Sequence, residues 1–163
     1  MYQLGHYGVA MLAYAPIGAS VALAGEEVLA ILGAVICLSL STLPDADHQI
    51  PLIEHRGITH TLLFALLVGA VLGGGLYLVL EVVTGAPDTT LVTFVFGVSA
   101  FAIVTHILGD ALTPMGVAPF WPLTSRRFTL NVTPAKNRVA NYALFVLGVV
   151  ASVLAVMTVS ALA

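Results

Sequence analysis

The residues of this 163-residue chain best suited to chemistry are its five histidines and four aspartates, and they fall into short, separated groups. His6 follows Gly5 near the start, and Asp45, Asp47 and His48 lie in the run Pro44-Asp45-Ala46-Asp47-His48. His55 and His60 bracket His55-Arg56-Gly57-Ile58-Thr59-His60, followed by Thr61. His106 and Asp110 stand four residues apart in an otherwise apolar run, a spacing that puts both side chains on one face of a helix.

Imidazole nitrogens and carboxylate oxygens are the ligands that zinc, manganese or iron accept. Up to eight such groups exceed what one ion needs, so the count predicts either two or three ions or one ion with outer partners. The local spacing is not that of the helical H-E-x-x-H zinc motif. Each group also has an ordinary reading. His6 alone suits the membrane interface, His106 and Asp110 alone suit an intramembrane hydrogen bond or proton relay, and the Pro44 to His48 run alone suits a turn that ends a helix.

The elements that must position these groups are membrane helices. The chain is 60% hydrophobic and 8% charged, whereas a soluble domain carries about a quarter charged residues. Five apolar runs predict an all-α, polytopic bundle in a single domain: Leu4 to Ala24, Val28 to Leu43, Ile58 to Val83, Leu91 to Leu112 and Ala140 to Leu162. Pro16 is expected to interrupt the first run, and the second is short for a span. Gly73, Gly74 and Gly75, with Gly97 and Ser99, are expected to let the third and fourth helices approach closely.

The start, Met-Tyr-Gln-Leu-Gly-His, lacks the basic region of a cleavable signal, so the first helix is expected to stay. The single cysteine, Cys37, excludes a disulfide framework and reads as packing. A net charge of -3 with five basic residues argues against a nucleic-acid partner.

Sidedness follows from the basic residues. Arg56 lies in the second connection, and Arg126, Arg127, Lys136 and Arg138 lie in the fourth, whereas the first and third connections carry none. The positive-inside rule makes the basic face cytoplasmic, in a multi-pass plasma-membrane protein with its N-terminus inside. All five histidines, with Asp45, Asp47 and Asp110, then fall on that face. The fourth connection, Thr113 to Val139, contains four prolines and the interfacial aromatics Phe120, Trp121 and Phe128, and is expected to lie along the bilayer surface.

Arg56, Arg126 and Arg127 serve as topology determinants, and they also stand where guanidinium groups would orient an anionic phosphoester head group. A site at the interface favours a membrane lipid or other amphiphile as substrate. Thr59 and Thr61 flank His60 either as outer hydrogen-bond donors or, for at least one of them, as a helix cap.

Gly5-His6, Pro44 to His48, His55 to Thr61 and His106 to Val117, with the Trp121-Pro122 pair, resemble the YdjM-type membrane-bound metal-dependent hydrolases over most of the chain. That family is distantly similar to zinc-dependent phospholipases C and related zinc nucleases. The resemblance implies a metal-dependent, zinc-type hydrolase holding one to three ions, with manganese as an alternative. It makes His6, Asp45, His60, His106 and Asp110 the leading ligands, with Asp47, His48 and His55 as a second group. Within that picture His55 is a further ligand, while Asp47 or His48 acts as general base.

The competing class is a non-enzymatic metal or proton carrier, and a third reading is a membrane scaffold with a relict metal site. A conduit needs groups on both sides of the bilayer, and the outer halves of the spans contain no histidine. The substrate, the ion count and the oligomeric state are not legible in the residues.

Overall fold

Each apolar run becomes a helix, and local capping sets where it begins. The computed structural model describes residues 1–50 and 54–162. Its helices are α1 (Gln3–Leu23), α2 (Glu27–Leu40), α3 (Leu62–Thr84), α4 (Thr89–Ala111) and α5 (Arg138–Leu162), and all five spans are long and apolar enough to cross a membrane. Among the described residues no strand forms beyond one isolated antiparallel bridge, Val117 to Phe128. At 23 residues each, α3 and α4 are about 35 Å long, enough for a hydrocarbon core of about 30 Å.

Three expectations of detail change. Pro16 does not interrupt α1, which runs through it. Neighbouring helices make such a residue tolerable in a membrane bundle. The third helix starts at Leu62, not Ile58, because Ile58–His60 forms a 3-10 turn and Thr61 caps α3, its hydroxyl accepting from the Phe64 amide at 3.0 Å. The second span is completed not by a longer helix but by a second 3-10 segment, Leu43–Gln49, opened by Pro44.

Glycines set the closest helix contacts, although not all those expected. Gly69 and Gly73 face Phe96 of α4, whereas Gly74, Gly75 and Gly97 meet open space. Successive helical residues are about 100° apart, so three adjacent glycines cannot share one interface. The tightest backbone approach is instead between α1 and α5: a β-carbon on Gly8 would collide with the Leu144 carbonyl, and one on Gly148 would lie 2.7 Å from the Gly8 carbonyl oxygen. Gly148→Leu is therefore expected to lower stability in detergent by about 1–3 kcal/mol through overpacking. Gly97→Leu is the control, expected to melt like the parent. Equal melting of both variants would mean that α1 and α5 do not meet there.

Helix α4 is the enclosed centre of the bundle, with Val98 and Ala102 packed against Ala10, Tyr14 and Cys37, and Ile103 and Ile107 against Ala65 and Val117. Cys37 is thus a core residue. Outward residues such as Val28, Val82 and Val156 are exposed, as lipid-facing positions of a membrane helix are. The end of α4 is held by the following segment, which spares the last turn from unpaired carbonyls: Leu130 N–H donates to Ala111 O at 2.7 Å and Val132 N–H to Leu112 O at 2.8 Å. The same segment reaches the start of α3, where Leu62 N–H donates to Pro119 O at 2.9 Å.

Candidate metal centre

The start of α1, the end of α2, the start of α3 and the end of α4 meet at one end of the bundle. Asn141 of α5 joins them there by accepting from the Tyr2 amide at 3.0 Å. His6, His60, His106, Asp47 and Asp110 have fully buried side chains, and Asp45 is 26% exposed. Alternating helix direction brings these separated segments together, and Gly109 makes room, since a β-carbon there would sit 3.0 Å from His6 Nδ1.

Two carboxylates face three imidazoles at nearly uniform spacing. Asp45 Oδ1 lies 3.6 Å from His60 Nε2 and 3.5 Å from His106 Nε2, and its Oδ2 lies 3.6 Å from His6 Nε2. Asp110 Oδ2 is 3.4 Å from His60 Nε2 and 3.7 Å from His106 Nε2, while its Oδ1 is 3.6 Å from His6 Nε2. A tetrahedral ion with bonds of about 2.0–2.2 Å separates its ligands by roughly 3.3–3.6 Å. The separations therefore match the edges of a coordination shell better than they match direct hydrogen bonds, which run nearer 2.9 Å.

Outer partners fix which nitrogen points inward. His106 Nδ1 is 2.7 Å from the Ser41 carbonyl, which only accepts, so Nδ1 carries the proton and Nε2 presents a lone pair. Thr59 donates to Asp47 Oδ2 at 2.9 Å, so its oxygen accepts from His60 Nδ1, also at 2.9 Å. The two inward Nε2 atoms then stand 3.1 Å apart, and a proton or a metal ion must lie between them. Burial lowers the His60 pKa, but the carboxylates of Asp110 and Asp45 outweigh it and hold it above its ordinary value. Asp110 Oδ2, buried and without a hydrogen-bond partner, supplies a further free acceptor.

Arg56 braces this centre from behind. It is 4% exposed, and its guanidinium donates to Asp110 Oδ1 at 2.8 Å, to Thr113 Oγ1 at 2.8 Å and to Gly116 O at 3.2 Å. Its backbone has φ 60°, the left-handed region that costs a non-glycine residue about 1–2 kcal/mol, and its amide is held there by Asp47 Oδ2 at 3.2 Å. The sequence placed Arg56 against a substrate head group. In the structure its buried guanidinium is bound to a candidate ligand, Asp110, the carboxylate it pairs with among the described residues.

Asp47, expected as a general base, has both oxygens engaged by His55 Nδ1 at 3.0 Å, Thr59 and the Arg56 amide. That arrangement suits an organising carboxylate. His48 is exposed and stacks on His55, ring centroids 3.7 Å apart. Arg126 and Arg127 are exposed, with Arg126 over the Phe128 ring at 5.4 Å, and no hydrogen bond joins either to the cluster among the described residues. Two groups have metal-like spacing: His6, Asp45, His106 and Asp110, and Asp45, Asp47, His48 and His55, each with its donor atoms within 4.8 Å.

The partners that residue types did not reveal are Ser41, which acts through its backbone, and Thr113, whose hydroxyl binds Arg56. Gly109 carried a signal in its place between His106 and Asp110, where the small residue admits the His6 ring.

In comparisons with known proteins, a family model described as "YdjM inner membrane protein" matches residues 1–163. No curated protein and no solved structure matches significantly.

Proposed function

From the premise that the chain belongs to the YdjM inner membrane protein family, we propose that it is an integral membrane metal-dependent hydrolase acting on phosphoesters of a lipid or other amphiphile at the cytoplasmic face. The observation that carries this reading is the cage of His6, Asp45, His60, His106 and Asp110, whose donor separations of 3.4–3.7 Å about the two carboxylates suit one coordination shell. Zinc fits the mixture of imidazole and carboxylate, and manganese accepts the same set.

When bound, such an ion supplies a Lewis acid that lowers the pKa of water and polarises a phosphoryl oxygen. The chain's own residues supply the rest. Ser41 O and Thr59 orient His106 and His60 so that each offers Nε2. Arg56 and the N-terminal ammonium of Met1 both donate to Asp110 Oδ1, which leaves Oδ2 free. His48, at the exposed rim, is the group best placed to exchange a proton with a bound substrate, and Asp47 positions the neighbouring His55. Arg126 and Arg127, exposed beside Trp121 and Leu123, favour contact with anionic head groups.

The test is hydrolysis of phospholipid and simple phosphodiester substrates by detergent-purified protein, with zinc or manganese added. Turnover is expected to appear with metal, to vanish in chelator and to return on reloading. Metal bound at stoichiometry without turnover of any phosphoester would remove the hydrolase assignment.

A further inference from the structure

We infer that the cavity between the starts of α1 and α5 binds the phosphate of a membrane lipid head group, with Arg138 as its cation. The inference does not rest on reading the cage as a metal site, because none of the lining residues belongs to the cage.

The cavity measures about 460 Å³ and is lined by Tyr2, Gln3, Leu4, Arg138, Asn141 and Tyr142. No carboxylate lines it, and Arg56 alone among the described arginines forms an ion pair, so the Arg138 charge is uncommitted. Arg138 and Tyr142 stand four residues apart, on one face of α5. The wall they share is fixed: Asn141 accepts from the Tyr2 amide at 3.0 Å and donates to Ala135 O at 3.1 Å and to Asn137 O at 2.7 Å. Those bonds engage both ends of the Asn141 amide, and Gln3 Nε2 donates to the Tyr7 hydroxyl at 2.6 Å. The side-chain donors left for a ligand are the guanidinium and the hydroxyls of Tyr2 and Tyr142, a set that suits an anion.

Depth selects the anion. Arg138 opens α5, a helix long enough to cross the membrane, so the cavity lies where the hydrocarbon ends. Tyr2 and Tyr142, 42% and 58% exposed, are the amphipathic aromatics that settle at that level. The anion concentrated there is lipid phosphate, and guanidinium pairs with phosphate through two parallel hydrogen bonds. A head group held here stands beside the cage, since Tyr2 adjoins Met1, whose ammonium donates to Asp110 Oδ1 at 2.7 Å.

The experiment counts lipids bound to the delipidated, detergent-purified chain by native mass spectrometry, in chelator so that no metal-dependent turnover consumes them. The probes are phosphatidylglycerol, diacylglycerol with the same acyl chains, and inorganic phosphate as a competitor. One tightly bound phosphatidylglycerol per chain is expected, with diacylglycerol at least about tenfold weaker because it lacks the phosphate. Arg138→Gln should lower phosphatidylglycerol affinity by about 10- to 100-fold, as loss of charge-assisted hydrogen bonds does. Arg138→Lys, which keeps the charge without the planar fork, should lose less, and Tyr142→Phe only a few-fold. Lys136→Gln removes the same charge two residues away and outside the lining, and is expected to bind like the parent.

Equal affinity of Arg138→Gln and the parent would overturn the site. So would an equal loss in Lys136→Gln, which would reduce the effect to general surface charge. Displacement of the lipid by inorganic phosphate at matching concentration would overturn the lipid as the source of the phosphate. Because the lining is separate from the cage, failure here leaves the metal reading standing, and absence of bound metal leaves this cavity standing.

Discussion

Alanine at His106 or at Asp110 is expected to abolish stoichiometric metal binding by the cage. Each side chain offers an inward atom to the same cage, His106 through Nε2 and Asp110 through the unpartnered Oδ2. Loss of an outer partner of a metal ligand already costs about 10–100-fold in affinity, so loss of a ligand should cost more than about 100-fold. The helices themselves should persist, since α4 is held by apolar packing through Val98, Ala102, Ile103 and Ile107. His106→Gln separates ligation from packing: it nearly preserves volume but lacks the inward imidazole nitrogen, so it should bind metal as poorly as the alanine variant. Elemental analysis and circular dichroism check both halves. An unchanged affinity in both alanine variants would mean that these residues do not hold the ion.

Removing the guanidinium of Arg56 is expected to be the most destabilising single change outside the ligand set. Arg56 and Asp110 form a buried pair at 2.8 Å, with side-chain exposures of 3% and 0%. Deleting one partner of a buried pair costs about 3–5 kcal/mol, and here the loss falls toward the lower figure because the N-terminal ammonium also contacts Asp110 Oδ1, at 2.7 Å. Arg56→Met should therefore melt well below the parent in chelator. Added zinc or manganese should narrow the gap, because the cation offsets the same carboxylate charge. Arg56→Lys keeps the charge but loses the planar fork that reaches Asp110 Oδ1, Thr113 Oγ1 and Gly116 O, so an intermediate melting temperature is expected. Equal stability of Arg56→Met and the parent in chelator would show that the pair carries no such load.

Those two experiments probe different layers of one centre. His106 and Asp110 face the interior of the cage, whereas Arg56 ties Asp110 to the segment after α4, in which Val117 and Phe128 pair as an antiparallel bridge. The proposed metal chemistry and the stability of that end of the bundle are thereby linked through one carboxylate. The outer partners Ser41 and Thr59 act in the same way on His106 and His60, holding the imidazole nitrogens rather than touching the cage.

The residues alone determined the five spans and the all-helical class, because hydropathy and helix periodicity are local properties. They also placed His106 and Asp110 on one face, since four residues is about one turn. What they left open was rotation and depth. Hydropathy does not say which side of a helix faces its neighbour, so Gly73 at the α3–α4 contact and Gly74 beside it in open space read alike. The role of Arg56 was equally illegible, because its partners Asp110, Thr113 and Gly116 lie 54 to 60 positions away in the chain. The Ser41 carbonyl has no residue-type signature at all. Tertiary packing alone decided that one arginine supports the centre from behind and that Asp45 belongs to both an enclosed and a more open group of histidines and aspartates. The reason is physical: such choices depend on which buried charges can satisfy one another in three dimensions, and nothing in a neighbouring residue encodes that.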